Sequence, residues 1–309
     1  MISVRGRMIK WILQHRHFFK GQWKKPRVDW SQVESIRAFR CEVEESAARF
    51  GKVPKGIEII PENMDGVYAE WIVNSASNRE QVILYFHGGG YVSGSSRSHR
   101  SITAKFVAGS QTNALLFDYR LAPEHPYPAG LGDAVTVYRR LLSQGFRADN
   151  IVFAGDSGGG GLLLGTLLAL RDRHVALPAS AVALSPVTDL GCTGESHRTK
   201  VHVCLSPEGM AQAIAKHYAG DKGNKIPYAS PLGAELHGLP PLLIYAGEDE
   251  ILRDDASGFV QKAKAAGVDA TLRIGEGMFH CYPAVAPLFP EAAQAMQEIC
   301  SFIQKSLSR

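Results

Sequence analysis

The sequence predicts an α/β fold, with a mostly parallel central sheet flanked by helices. Eight short β-rich apolar runs begin after residue 56, and from the third onward helical patterns separate them. Strands alternating with helices make βαβ units, which bury a parallel sheet on both faces. The first two runs, Ile57–Ile60 and Val67–Val73, alternate more clearly and lie close together, as an antiparallel edge would. The others are Val82–Phe86, Ala114–Phe117, Ile151–Ala154, Ala181–Leu184, Leu242–Tyr245 and Ala270–Ile274. Helical patterns fall near 98–109, 131–144, 158–171, 208–219, 254–266 and 291–306.

Ahead of the sheet stand two amphipathic segments. In the first, Met8, Trp11, Ile12, Phe18 and Phe19 fall near one face, with Arg7, Lys10 and Arg16 between them. The second starts at Ser31-Gln-Val-Glu34, a capping-box pattern, and stops at Gly51; Val33, Ile36, Val43, Ala47 and Phe50 keep its 3.6-residue period. Such helices either pack on the body of the protein or lie on a membrane surface. Packing is the expected arrangement.

Composition narrows the class. With 45% hydrophobic and 21% charged residues, the chain is neither disordered nor fibrous. A chain of 309 residues buries roughly 75% of its unfolded surface and needs no disulfide or metal to hold a core. Cys41, Cys192, Cys204, Cys281 and Cys300 are scattered without a CxxC spacing, a pattern of free thiols in a reducing compartment and of no zinc site. The net charge of +4 hides an asymmetry: residues 1–30 carry eight Lys or Arg against Asp29, so they sum to +7 and the rest to −3. A basic segment can meet nucleic acid or anionic lipid. No apolar run reaches the roughly 18 residues that span a membrane, and the start lacks a signal-peptide pattern. The expectation is a soluble cytoplasmic protein with no nucleic-acid partner and no stable membrane insertion.

Chemistry concentrates in four places. Gly155-Asp-Ser157-Gly-Gly159 follows an apolar strand and opens a helix, the strand–turn–helix context of a nucleophile elbow. Small neighbours let strand and helix approach while the nucleophile takes a strained turn at a helix N-terminus. The pattern lacks the lysine of a phosphate-binding loop and the spacing of a dinucleotide-binding one. His87-Gly-Gly-Gly90 follows the strand Val82–Phe86. Its unobstructed amides suit an oxyanion, with Gly89, Gly90 and Gly158 as donors and Gly88 less favoured.

A hydroxyl nucleophile needs a base, and in this kind of fold the order is Ser, acid, His. Six of the eleven histidines follow Ser157: His174, His197, His202, His217, His237 and His280. Most lie in helical or polar stretches, where a solvated histidine is the plainer reading. His280 alone sits in a loop past the last strand. Asp249 and Glu250, at the end of Leu242–Tyr245, can each orient its imidazole; Asp254 and Asp255 read as helix N-terminal acids.

With these motifs in order, the chain resembles bacterial hormone-sensitive-lipase-type (family IV) esterases of the α/β-hydrolase fold. The likeness rests on His87–Gly90, Asp118-Tyr-Arg-Leu-Ala-Pro-Glu124-His-Pro-Tyr-Pro-Ala129, Gly155–Gly159 and Ser185-Pro-Val-Thr-Asp189, and runs from about residue 57 to the end. It implies an N-terminal helical cap (1–52) on a catalytic domain (53–309). The family pattern Asp-Pro-Leu-x-Asp falls on Glu250-Ile-Leu-Arg-Asp254, so Glu250 takes the place of the acid and Asp249 is the runner-up. The resemblance implies a cofactor-free serine carboxylesterase for short-to-medium acyl esters, with Ser157, Glu250 and His280 as triad and a homodimer through a sheet edge. Asp118, Arg120 and Glu124 are expected to pin their loop, Asp156 to order the oxyanion loop, and Cys281 not to be the nucleophile. An amidase or lactonase could use the same triad; a receptor-like binding protein of this family would have lost the histidine that His280 retains.

Overall fold

In a computed structural model, which describes residues 2–15 and 28–308, the strands form a single eight-stranded sheet in the order β1-β2-β4-β3-β5-β6-β7-β8. They are β1 (Ile57–Met64), β2 (Val67–Asn74), β3 (Asn78–Phe86), β4 (Thr112–Phe117), β5 (Ile151–Asp156), β6 (Ser180–Leu184), β7 (Leu242–Gly247) and β8 (Ala270–Gly275). β1 and β2 pair antiparallel, as does β2 with β4. Every other pairing is parallel. The expected antiparallel edge is therefore present, and the parallel remainder follows.

Side chains alternate between two cores, as the two-residue period of a strand requires. Val82, Leu84 and Phe86 of β3 join Ile151 and Phe153 of β5 on one face, while Ile83 and Tyr85 join Val152 and Ala154 on the other. The first face is covered by α4 (Ala129–Ser143), α5 (Ser157–Asp172) and α8 (Arg253–Ala265); the second by α3 (Ser96–Ser110) and α9 (Pro290–Leu307). From Gly158 to Leu170 every residue of α5 is buried, the signature of a helix packed on all sides.

Two short helices, α6 (Ser196–Thr199) and α7 (Met210–Ala219), lie in the long connection between β6 and β7. The N-terminal helices are α1 (Val4–Gln14) and α2 (Val33–Phe50). On α1, Ile9 and Leu13 pack against the second core together with Ile2, whereas Met8 and Trp11 are each 54% exposed. The predicted apolar face thus turns outward in part. Apolar residues lie on more than one side of this helix, and the contacts made by Lys10 and Gln14 select its orientation. Phe18 and Phe19, assigned to that face, fall outside the described residues.

α2 begins one residue later than the capping-box pattern implies. Its N-cap, Gln32, makes no side-chain cap, because the Ser31 amide and hydroxyl both donate to Asp29 Oδ1, at 3.0 and 2.7 Å. This local turn competes with the cap. Gly51 ends the helix as expected, its amide donating to the Ala47 carbonyl. All five cysteines are free, and among the described residues no helix is long and apolar enough to cross a membrane.

Candidate active site

The β5–α5 turn holds Ser157 at φ +54°, a left-handed backbone that an L-residue adopts only where its surroundings impose it. Here the imposition comes from close packing. A Cβ on Gly159 would lie 2.2 Å from the carbonyl oxygens of both Phe86 and His87, so only glycine lets α5 come this close to the end of β3. Three further non-glycine residues in left-handed backbone, Tyr91, Ser185 and Cys281, stand at the same end of the sheet.

The His87–Gly90 loop is fixed from beneath. The Gly88 amide donates to Asp156 Oδ1 at 3.1 Å, and the Tyr85 hydroxyl donates to the same oxygen at 3.0 Å. Tyr119 donates to the His87 carbonyl at 2.8 Å and stacks on its ring. Burial, reinforced by neighbouring His99, drops the His87 pKa to about 3, so this ring is a neutral packing element. Asp156 does order the loop, and it occupies the Gly88 amide. The Gly89 and Gly90 amides have no backbone partner among the described residues. A Cβ on Gly158 would meet the amide nitrogens of Gly90 and Tyr91 at 2.9 and 3.0 Å, which measures how closely these backbone donors converge beside Ser157.

His280 and Glu250 come from the loops after β8 and β7. Glu250 is fully buried. Its Oε2 lies 2.5 Å from His280 Nδ1, while Oε1 accepts the Ser185 hydroxyl at 2.8 Å and the Gly247 amide at 2.6 Å. Burial penalises a charge on His280, yet the Cys281 sulfur and the Glu250 carboxylate outweigh it, and its pKa is raised well above 6.5. Burial also pushes the Cys281 thiol up, so near pH 7 that thiol is neutral. The other ring nitrogen, Nε2, has Cys281 Sγ at 3.5 Å.

Asp249 faces the other way, paired with Lys10 of α1 and, at 2.9 Å, with Lys200. Lys10 also donates to the Gly277 carbonyl at 2.7 Å. The motif charges expected to pin a loop do so: Arg120 pairs with Asp133 at 2.8 Å, Glu124 with Arg40 of α2 at 2.6 Å, and Asp118 accepts the Ser96 amide.

Sequence reasoning gave no role to three features. Ser185 bridges Glu250 and the Cys281 amide, the latter at 2.9 Å; its place at the carboxyl end of a central parallel strand was the available signal. α7, expected only to separate two strands, lies over the site: a Cβ on Gly90 would be 2.6 Å from both Met210 and Ile214. His197, grouped with solvated histidines, is buried against Asp255. Asp255 is indeed in the first turn of α8, but it also accepts the Thr188 and Asp189 amides, at 2.8 Å each. Ser157, Val187, Leu190, His197, Met210 and Ile214 are among the residues lining one cleft.

A family model for the alpha/beta hydrolase fold matches residues 83–284. An acetyl-hydrolase of Streptomyces hygroscopicus is 40% identical over 237 residues, covering 76% of this chain and 79% of its own. An esterase of Acinetobacter venetianus is 38% identical over 251 residues, covering 80% and 82%. Among solved structures, an esterase/lipase from an uncultured bacterium superposes with a TM-score of 0.89 at 38% identity over 100% of both chains. An esterase from the bacterial hormone-sensitive lipase family does so with a TM-score of 0.89 at 37% identity over 99% of each.

Proposed function

The chain belongs to the α/β-hydrolase-fold family, among its bacterial hormone-sensitive-lipase-type members, and is a carboxylic ester hydrolase; from that premise we propose that it is a serine esterase for short-to-medium acyl esters. The observation that carries this reading is the contact of the buried Glu250 with His280 Nδ1 at 2.5 Å, at the same sheet end as the Ser157 turn. Ser157 Oγ attacks the ester carbonyl as His280 Nε2 takes its proton, and Glu250 holds the ring and stabilises the imidazolium. Substrate brings Nε2 from the Cys281 sulfur to the Ser157 hydroxyl, since such contacts tighten in the complex. The Gly89, Gly90 and Gly158 amides receive the oxyanion. His280 then protonates the departing alcohol, activates water, and the acyl-enzyme is hydrolysed. None of these steps calls on a cofactor or metal.

Within this reading residues 1–52 form a cap on the domain 53–309. The ties from Lys10 to the Asp249 and Gly277 loops and from Arg40 to the Val92 carbonyl support it. β8, at the edge of the sheet with Ile274 exposed, supplies the face for a homodimer. The deciding experiment is hydrolysis of p-nitrophenyl esters of increasing acyl length, with Ser157→Ala in parallel. Cleavage of short chains that disappears in the folded variant is expected; equal cleavage by the variant would overturn the assignment.

A further inference from the structure

His197 stands outside the proposed triad, yet it lines the same cleft as Ser157. Its side chain is 5% exposed, too buried to be a solvated histidine. Nε2 lies 2.7 Å from Asp255 Oδ1. The Cδ2 edge of the ring faces Gly194, where a Cβ would lie 3.6 Å away. Ring geometry therefore puts Nδ1 on the opposite edge, and among the described residues Nδ1 has no hydrogen-bond partner. Cys192 shares the cleft wall and lies near enough to favour a charged ring without completing a bond to Nδ1.

Burial opposes a charge on His197, but the hydrogen bond to Asp255, the approach of the Cys192 sulfur and the charge of Asp255 outweigh it and push the pKa up to about 10; no bond from Nδ1 to that sulfur meets hydrogen-bond geometry. Both ring nitrogens then carry protons near pH 7, which makes Nδ1 a donor. A buried donor without an acceptor is costly, and a ligand that supplies the acceptor recovers that cost.

We propose that His197 is a specificity residue that donates from Nδ1 to an uncharged acceptor oxygen, such as a ketone or ether, on the substrate group occupying the cleft. The inference rests on the serine-esterase reading and deepens it: esters oxygenated a few bonds from the scissile carbonyl are the preferred class, ahead of plain alkyl chains. An anionic group is disfavoured. The His197–Asp255 pair is neutral as a unit, and the carboxylate of Asp189 lines the same cleft.

The test compares chain-matched esters on the whole protein, each rate divided by that for alkaline hydrolysis to remove intrinsic reactivity. p-Nitrophenyl 4-oxopentanoate against pentanoate places the oxygen in the acyl half; 2-methoxyethyl acetate against butyl acetate places it in the alcohol half. In one of the two halves kcat/KM for the oxygenated ester should exceed its partner by roughly 10-fold or more, the worth of a hydrogen bond from a charged donor. His197→Gln, which keeps a partner for Asp255, should bring that ratio to near one. The ratio is indifferent to a general loss of activity, and the wild-type ratio needs no folded variant. Ratios near one in both halves for an active wild type would overturn the proposal while leaving the esterase reading intact. So would a ratio that His197→Gln leaves unchanged, or a mono-p-nitrophenyl glutarate preferred over every neutral ester. No cleavage of any ester by folded protein would instead remove the serine-esterase reading, and this inference with it.

Discussion

The floor of the site and the helices that lie against it are held by different contacts. At the floor, the ends of β3 and β5 and the start of α5 are locked by backbone approach. Gly159 has no room for a Cβ, and the carboxylate of Asp156 takes the Gly88 amide. The N-terminal helices are tied to the body by long polar side chains: Lys10 to Asp249, Arg40 to Glu124, and Ser3 to Glu291, the last at 2.9 Å. Backbone contacts leave almost no freedom of position, whereas ion pairs between long side chains that remain partly open to water are weakened by salt. Asp249 and Glu250 mark the boundary, adjacent in sequence yet turned to opposite regions.

If that division is right, the largest effect belongs to the floor. Ser157→Ala should lower kcat by at least roughly 10⁴-fold, since losing the nucleophile leaves only binding and the oxyanion donors. The melting temperature should stay within a few degrees, because the residue packs through its backbone. A large loss of stability would show that the hydroxyl is structural.

Next comes the pair at the boundary. Glu250→Gln should cost roughly 10³–10⁴-fold in kcat, as when a buried acid no longer holds the imidazole. Asp249→Asn should cost no more than a few-fold. The pH profile separates them further. His280 must be unprotonated to act as base, and its pKa is raised above the ordinary 6.5. Activity should therefore climb with pH through a limb above 6.5 in the wild type, and Glu250→Gln should move that limb to lower pH. Asp249→Asn should leave it in place. A profile in which only the Asp249 change is crippling would reverse the two assignments.

The same division explains what could be read in the sequence. The central strands were legible because a strand buried on both faces needs a run of apolar residues whatever its neighbours, and the half-exposed β1 and β2 were legible by their alternation. The elbow and the His87–Gly90 loop were legible for a related reason: close backbone approach demands glycine, and glycine is visible. The choice between Asp249 and Glu250 was not visible in the chemistry of the loop, since both are carboxylates at one strand end. Only the family register favoured Glu250, and Lys10 and Lys200, both distant in sequence, are what engage Asp249. Ser185, α7 over Gly90 and the burial of His197 depend likewise on where the long β6–β7 connection folds back. No local period encodes that.

Smaller effects belong to the helices against the floor. Deleting residues 1–50 should widen access to the cleft and change acyl-length preference; unchanged selectivity in a stable truncated protein would argue against a cap. Lys10→Ala keeps the helix but removes its tie to Asp249. The Lys10 and Asp249 side chains are only 15% and 21% exposed, but Lys200 still pairs with Asp249, so the stability cost should be about 1–2 kcal/mol, and kcat/KM should change only a few-fold through the Gly277 loop.

The smallest prediction concerns the two sides of α1. Ile9 packs against the core under α9, so Ile9→Ala should destabilise by about 1–2 kcal/mol, below the range for a fully buried isoleucine because this site is only partly covered. Met8, its neighbour, is 54% exposed, and Met8→Ala should fall within about 0.5 kcal/mol of neutral. Chemical denaturation of both variants compares adjacent apolar residues on one helix with length and ion pairs unchanged. Equal costs would mean that the outward face is covered in solution, by a second copy of the chain or by another partner. Unequal costs in the stated order would mean that α1 is held by the contacts of its inner face.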